Sequence, residues 1–124
     1  MAEQVVRKRL GDRIASSDDI AILELPTKLF DPYRILIMKI LYRHLAADFR
    51  QLRHDLRAPD GKEITDGNLA SHLKALYDAG YVSFEKTYVE NKPRTVYCLT
   101  KEGLSAFQQF TKYLGKVVSD GIKD

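Results

Sequence analysis

The stretch from Ile64 to Tyr81, ITDGNLASHLKALYDAGY, carries the signals of one short helix with specified ends. Thr65 fits the N-cap position, where its hydroxyl accepts a hydrogen bond from an unpaired backbone N–H group. Gly80 fits the position after the last turn, because glycine adopts the left-handed conformation at little cost. The next residue can then fold back on that turn. The sequence therefore predicts a helix whose two ends are set locally.

The two faces of this predicted helix differ in character. Leu69, Leu73 and Leu76 recur at helical spacing and form one apolar stripe, which indicates burial against a core. The other face is mostly small, whereas an ordinary solvent-exposed face carries long charged side chains. Its residues are Gly67, Ser71, Lys74 and Asp78, with Asn68, Ala70 and Ala75 on the flanks. Such a face can approach a partner closely.

Two further helices are predicted before this one. Asp31 and Pro32 form a helix start, with an N-cap followed by proline at the first helical position. The segment that follows, 33–45, is apolar around much of its circumference. Asp48 fits the N-cap of the next helix, on which Arg50, Arg53 and Arg57 repeat along one face. These arginines form either a solvated face or a set of phosphate contacts, and charge pattern alone does not separate the two.

A β-hairpin is predicted after the small-faced helix. Residues 82–89 and 94–99 are rich in Val, Thr, Tyr and Phe and flank Glu-Asn-Lys-Pro, which reads as the turn. Three cations lie near the predicted tip: Lys86, Lys92 and Arg94. They either contact an anionic partner or keep the edge strands from aggregating.

A last helix, capped by Thr100, has two apolar stripes. The first is expected to face the chain's own core and consists of Leu104, Phe107, Leu114 and Val118. The second exceeds what one core needs and predicts contact with a second copy of the chain. Its residues are Ala106, Phe110, Tyr113 and Val117. The apolar segment 20–25 is expected to assist in that contact.

Several of these runs resemble winged-helix transcriptional regulators of the ArsR/MarR-like group. They are residues 65–76, Ala-Gly-Tyr-Val at 79–82, Lys-Pro-Arg-Thr at 92–95 and Leu-Thr-Lys-Glu-Gly at 99–103. The resemblance covers residues 31 to about 114 and implies a recognition helix at 65–77 and a wing at 82–99. The connection 57–63 departs from the pattern, because it is longer than the usual turn of about three to four residues.

The predicted fold is mainly α with a small β-hairpin wing, an α+β winged helix-turn-helix. Residues 1–30 are expected to be a partly helical N-terminal extension that takes part in dimer contacts. Residues 31–100 are expected to be the DNA-binding domain, and residues 101–124 the dimerisation helix and tail.

The composition limits the class of partner and the cellular compartment that we expect for this protein. The net charge is +3, and the whole excess lies in residues 31–124, which contain fifteen Lys or Arg and twelve Asp or Glu. A basic excess permits an anionic partner. The single Cys98 excludes an intramolecular disulfide, and no apolar run has the length of a membrane span or signal peptide. We therefore expect a cytoplasmic protein that does not contact membranes.

No catalytic constellation emerges from the sequence. His44, His54 and His72 have no paired nucleophile, no HExxH spacing and no glycine-rich phosphate loop nearby. Isolated histidines of this kind are more often packing or surface residues than metal ligands. We therefore expect no enzymatic activity, no cofactor and no metal site.

The order of elements, together with the resemblance, predicts double-stranded DNA as the partner. Asn68 can bond an adenine edge, Ser71 several bases, and Lys74 a guanine or a phosphate, with His72 as a further base contact. Backbone contacts are predicted for Arg50, Arg53, Arg57, Thr65, Lys86, Lys92 and Arg94. A dimer interface is predicted at Ile20, Ile22, Leu23, Phe110, Tyr113 and Val117.

The predicted function is thus sequence-specific DNA binding by a homodimeric transcriptional regulator. The alternative is a winged-helix module that docks on protein within a larger assembly. The sequence does not indicate an operator, an effector, or the direction of regulation.

Overall fold

The computed structural model describes residues 15–122. Its elements are α1 Ser17–Ile20, α2 Pro32–His44, β1 Ala47–Asp48, α3 Phe49–Asp55, α4 Asp66–Asp78, β2 Val82–Val89, β3 Lys92–Leu99 and α5 Lys101–Ile122. Two single-turn 3-10 helices, Ala21–Glu24 and Thr27–Leu29, precede α2. The predicted fold class, helices with a small β-hairpin, is confirmed. The predicted helical character of residues 1–14 lies outside the described residues.

The chain divides into two compact units. The larger unit, residues 26–108, contains α2 to β3 and the beginning of α5. The smaller unit combines the chain up to Leu25 with the chain from Gln109 onwards. Every residue predicted to contact DNA lies in the larger unit, so that interface can be described within one compact body.

The core of the larger unit is built from the apolar faces of its helices. The predicted stripe of α4, Leu69, Leu73 and Leu76, is at most 2% exposed. It is joined by Ile37, Met38, Leu41, Leu52, Leu56 and Val82. α2 is less completely buried than the sequence predicts, since Leu36 and Tyr42 are each 45% exposed. One face of α2, and not its whole circumference, therefore belongs to the core.

Both ends of α4 form as the sequence predicts. At the start, Thr65 Oγ1 accepts a hydrogen bond from the backbone N–H of Asn68 at 3.1 Å. At the end, the N–H of Tyr81 donates to the carbonyl of Leu76 at 2.9 Å, as in a Schellman motif. Gly80 has a φ of 84°, so the predicted left-handed conformation is confirmed.

α2 begins and ends near its predicted bounds, but α3 ends at Asp55. Arg57 therefore lies beyond the helix, and the predicted helical face of Arg50, Arg53 and Arg57 does not form. Asp31 Oδ1 accepts a hydrogen bond from the N–H of Tyr33 at 2.9 Å, and Pro32 occupies the first position of α2. The connection between α3 and α4 extends over residues 56–65. It is therefore longer than a usual helix-turn-helix turn, as the sequence indicates.

The wing is a hairpin with a tighter turn than the sequence predicts. Glu90 and Asn91 alone close it, with φ angles of 53° and 63°, as in a type I′ turn. Lys92 and Pro93, predicted as part of the turn, belong to β3. A two-residue turn of this type matches the right-handed twist of the strands and fixes their register.

β1 is not predicted from the sequence. Ala47 pairs with Tyr97 and Asp48 with Val96, which gives a three-stranded antiparallel sheet in the order β1-β3-β2. A two-residue strand has no periodicity that could indicate it. Asp48 is also the predicted N-cap of α3: its Oδ1 accepts a hydrogen bond from the N–H of Gln51 at 2.8 Å.

The beginning of α5 lies directly against the end of α4. The N–H of Thr100 donates to the carbonyl of Tyr81 at 3.1 Å, and the Thr100 hydroxyl donates to the carbonyl of Gly80. The same hydroxyl accepts from the N–H of Gly103 at 2.9 Å. A Cβ atom on Gly103 would overlap the carbonyl oxygen of Tyr81. Only glycine therefore permits this approach.

The buried side of α5 differs from the predicted one. Phe107 is 7% exposed, as expected, but Leu104 and Val118 of the same predicted stripe are 40% and 51% exposed. Phe110, assigned to the other stripe, is 1% exposed. The prediction that Phe110 contacts a second copy is therefore wrong, because its own chain already covers the ring.

We predict that Gly103→Ala lowers the free energy of unfolding by about 1–3 kcal/mol, the usual cost of an inserted methyl group in a tightly packed place. Urea unfolding measures the change. Gly115→Ala is the matched control in the same helix, because a Cβ atom there meets nothing within 4 Å. It should raise stability by about 0.5–1 kcal/mol, the difference between glycine and alanine in a helix. Equal stability changes in the two variants would contradict the close approach.

Candidate nucleic-acid interface

One face of α4 is exposed and carries three hydrogen-bonding side chains. Asn68, Ser71 and Lys74 are all exposed, on the side away from the buried leucine stripe. Lys74 Nζ lies 2.6 Å from Asp78 Oδ2, and both side chains are more than half exposed. An exposed pair of this kind contributes about 0.3–0.5 kcal/mol, so Lys74 can exchange this partner for another anion at little cost.

His72 does not belong to this exposed face. Its side chain is 17% exposed, and its Nδ1 accepts a hydrogen bond from Arg34 Nε at 3.0 Å. The imidazole also stacks on Tyr33, with ring centroids 5.5 Å apart. The prediction of a base contact at His72 is therefore corrected: the ring connects α4 to the first turn of α2. On a helical wheel His72 lies on the boundary between the buried and the exposed face, so the sequence pattern does not show to which face it belongs.

Arg53 of α3 and Arg57 of the connection that follows it form a neutral cluster with two carboxylates. Arg53 Nη1 donates to Asp66 Oδ1 at 2.8 Å, and Arg53 Nε lies 3.4 Å from Glu63 Oε2. Arg57 Nη2 lies 3.1 Å from Glu63 Oε1. The hydrogen bond to Asp66, then the charges of Asp66 and Glu63, raise the pKa of Arg53. The cluster connects α3 with the start of α4 across their long connection, and its two positive charges are balanced by two negative ones.

The remaining predicted backbone contacts near α3 and α4 are exposed. Arg50 lines a shallow cavity whose wall also includes Gln51, His54 and Arg94. Thr65 is exposed at the first turn of α4, where its hydroxyl is occupied in capping the helix. Contacts of both residues with phosphate stay predictions.

The three cations of the wing do not all lie at its tip. Lys92 lies directly after the turn, and Lys86 pairs with Thr95 further along the hairpin; both lysines are exposed. Arg94 instead donates from Nη1 to Asp48 Oδ2 at 3.0 Å, and Asp48 is 6% exposed. The predicted position of Arg94 at the tip is therefore wrong, because a nearly buried carboxylate holds it at the start of α3.

Sequence reasoning missed an aromatic row between α4 and the wing. The rings of Tyr77 and Phe84 lie 5.1 Å apart, and those of Phe84 and Tyr97 lie 5.9 Å apart. Tyr77 and Phe84 remain 49% and 41% exposed, whereas burial raises the pKa of Tyr97. Strand alternation is the signal that could have found this row, since it places Phe84 on the same side as the buried Val82.

Residues 33–118, well over half of the chain, match the winged helix DNA-binding domain family. The chain belongs to this family. The resemblance to winged-helix transcriptional regulators is thereby confirmed, and α4 and the β2–β3 hairpin occupy the positions predicted for the recognition helix and the wing. The family is described as a DNA-binding domain.

Known relatives cover most of this winged-helix chain. An uncharacterized protein of Methanocaldococcus jannaschii is 31% identical over 77 residues, which are 62% of this chain and 77% of that protein. A transcriptional regulator homologue from Pyrococcus horikoshii has a TM-score of 0.73 at 29% identity, over 87% of this chain and 100% of that structure. A PadR family transcriptional regulator from Eggerthella lenta has a TM-score of 0.54 at 27% identity, over 70% and 77% of the two chains.

Two other kinds of site are absent from the residues that the structure describes. Among residues 15–122, no helix is both long enough and apolar enough to cross a membrane. Within that part of the chain, no group of three or more His, Cys, Asp or Glu side chains is placed to hold a metal ion. Cys98 is half-buried in β3, with its Sγ 3.5 Å from Ser83 Oγ.

Proposed function

We propose that the protein is a transcriptional regulator that binds specific DNA sequences as a homodimer. α4 enters the major groove, and the wing contacts the neighbouring backbone or minor groove. The observation that carries this proposal is the exposed face of α4, where Asn68, Ser71 and Lys74 project among small residues. The similar solved proteins from Pyrococcus horikoshii and Eggerthella lenta, described as regulators, support it.

The three side chains suit direct reading of base edges. Asn68 can bond N6 and N7 of adenine bidentately, and Lys74 can donate to O6 and N7 of guanine. Ser71, between them on the helix, can donate or accept. Gly67 and Ala75 flank the three and leave room for the helix to approach the floor of the groove.

Phosphate contacts come from cations that no carboxylate holds tightly. Lys86 and Lys92 on the wing and Arg50 on α3 are exposed and suit this role. Arg53 and Arg57 contribute less to the net attraction, because Glu63 and Asp66 balance their charges. Backbone N–H groups at the start of α4 can bind a phosphate as well, since the positive end of the helix dipole lies there.

The smaller unit supplies the dimer interface in this proposal. Of the predicted interface residues, Leu23 is 78% exposed although its side chain is apolar. Val118, which the sequence assigned to the core-facing stripe, is also apolar and 51% exposed. Four further predicted interface residues are half-buried: Ile20, Ile22, Tyr113 and Val117. Pairing through such residues about a two-fold axis would place the two copies of α4 about 34–36 Å apart, one turn of DNA. The binding site would then be an inverted repeat.

A protein-docking module remains the second candidate function. An apolar groove of the larger unit favours it, because Leu45, Tyr42 and Leu104 line this groove and Leu45 is 78% exposed. The two functions differ in salt dependence. DNA binding that neutralises six to ten phosphates weakens by about 10³–10⁵-fold between roughly 50 and 200 mM salt.

We predict that Asn68→Ala and Lys74→Ala each reduce discrimination between a selected sequence and a random one by about 1–3 kcal/mol per half-site, the usual worth of a base contact. Competition titrations with a duplex enriched from a random pool measure this quantity. His72→Ala is the control, because the imidazole faces α2, and it should leave discrimination as in the wild type. If Asn68→Ala and Lys74→Ala discriminate like the wild type, or if no duplex is enriched, the proposed function is refuted.

We predict that the double variant Tyr113→Glu, Val117→Glu is a folded monomer that binds DNA far more weakly than the wild type. Two carboxylates in an apolar interface would lose their hydration without gaining partners. Light scattering at micromolar concentration measures the assembly, and circular dichroism checks folding. Ser119→Glu, an exposed position on the opposite side of α5, is the control and should remain dimeric. A monomeric wild type would contradict the dimer.

A further inference from the structure

The register of the hairpin sorts the wing's side chains onto two faces. Cross-strand partners share a face, and successive residues alternate. One face carries Phe84, Lys86 and Tyr88, which pair with Tyr97, Thr95 and Pro93 in turn. The other face carries Thr87 and Val89, which pair with Arg94 and Lys92.

The face with Tyr88 is the one that looks towards α4. Its first residue, Val82, is 2% exposed in the core, and Phe84 contacts Tyr77 of α4 at 5.1 Å between ring centroids. Lys74 of α4 lines the same small pocket as Phe84. The opposite face is held to the start of α3, because Arg94 donates to Asp48. Lys86 and Tyr88 therefore continue the surface that begins with the exposed face of α4.

Tyr88 is a highly exposed aromatic residue on a stiff support. Its exposed fraction is 74%, and its cross-strand partner is Pro93. The turn that follows has only two residues, Glu90 and Asn91, both with positive φ, so the tip has little freedom. An apolar ring held out in water at such a tip is placed for contact with a partner, since contact would remove its surface from water.

We propose that Tyr88 packs its ring on the deoxyribose wall of the minor groove next to the major groove that α4 occupies. Lys86, on the same face, contacts a phosphate beside it. This inference rests on the proposed function and adds the wing residue that carries the contact. Tyr88 lies four strand residues beyond Phe84, about 13 Å, and its long side chain extends the reach of the wing further. Half a turn of DNA, the step from a major groove to the next minor groove, is about 17 Å.

The two contacts differ in how they respond to salt. A tyrosine ring is neutral, so its packing on sugars releases no counterions, whereas a lysine on a phosphate releases about one. Tyr88→Ala should therefore weaken binding roughly a hundredfold, about tenfold for the aromatic ring lost from each copy in the dimer, and leave the salt slope unchanged. Lys86→Ala should weaken binding and reduce the salt slope by about two, one for each copy in the dimer.

The experiment titrates a fluorescent duplex, enriched from a random pool by the wild-type protein, with each full-length variant at several salt concentrations. Val89→Ala is the matched control, because Val89 is the neighbouring residue, 41% exposed, on the opposite face. It should bind like the wild type. Tyr88→Phe should retain most of the affinity, since the ring carries the contact. Thermal unfolding of each variant identifies any loss that arises from misfolding.

Two results would overturn the inference. One is equal affinity of Tyr88→Ala and Val89→Ala, and the other is an equal loss in Tyr88→Phe and Tyr88→Ala. If Asn68→Ala still loses discrimination in the same titrations, the proposed function stands and only the role of Tyr88 fails. A wild-type protein that enriches no duplex would overturn both.

Discussion

The arrangement of α4 and the wing depends on the close contact between Gly103 and the backbone at Tyr81. Thr100 completes that junction with hydrogen bonds to the carbonyls of Gly80 and Tyr81. β2 starts directly after Tyr81 and β3 ends directly before Thr100, so both strand ends are held at the end of α4. The side on which the wing faces α4 follows from this junction, and with it the position of Tyr88.

The sequence predicts best what is determined within a few residues. The caps of α4 at Thr65 and Gly80 and its leucine stripe are local, and the structure confirms them. β1 could not be predicted, because it exists only through pairing with a distant strand. The ion pair of Arg94 with Asp48 is likewise non-local, since it joins residues 46 positions apart.

The candidate site was predicted less completely than the fold. Helical periodicity placed Asn68, Ser71 and Lys74 on the exposed face of α4. It could not show on which face His72 lies, because this residue is at the boundary between the two. It also could not decide which stripe of α5 is buried, because helical spacing gives relative positions and not the neighbours that cover them. Phe110 and Leu104 show the consequence, with exposures of 1% and 40%.

The central claim is that α4 and the Lys86–Tyr88 face of the wing contact DNA as one surface. Amide chemical-shift mapping of the isotope-labelled protein, titrated with the enriched duplex, tests it most directly. The largest shifts should fall in residues 67–74 and 86–88, while amides on the outer face of α2, around Lys39 and Arg43, stay unchanged. Shifts that are confined to α2 or α5, or that include α4 but not the wing, would contradict the claim.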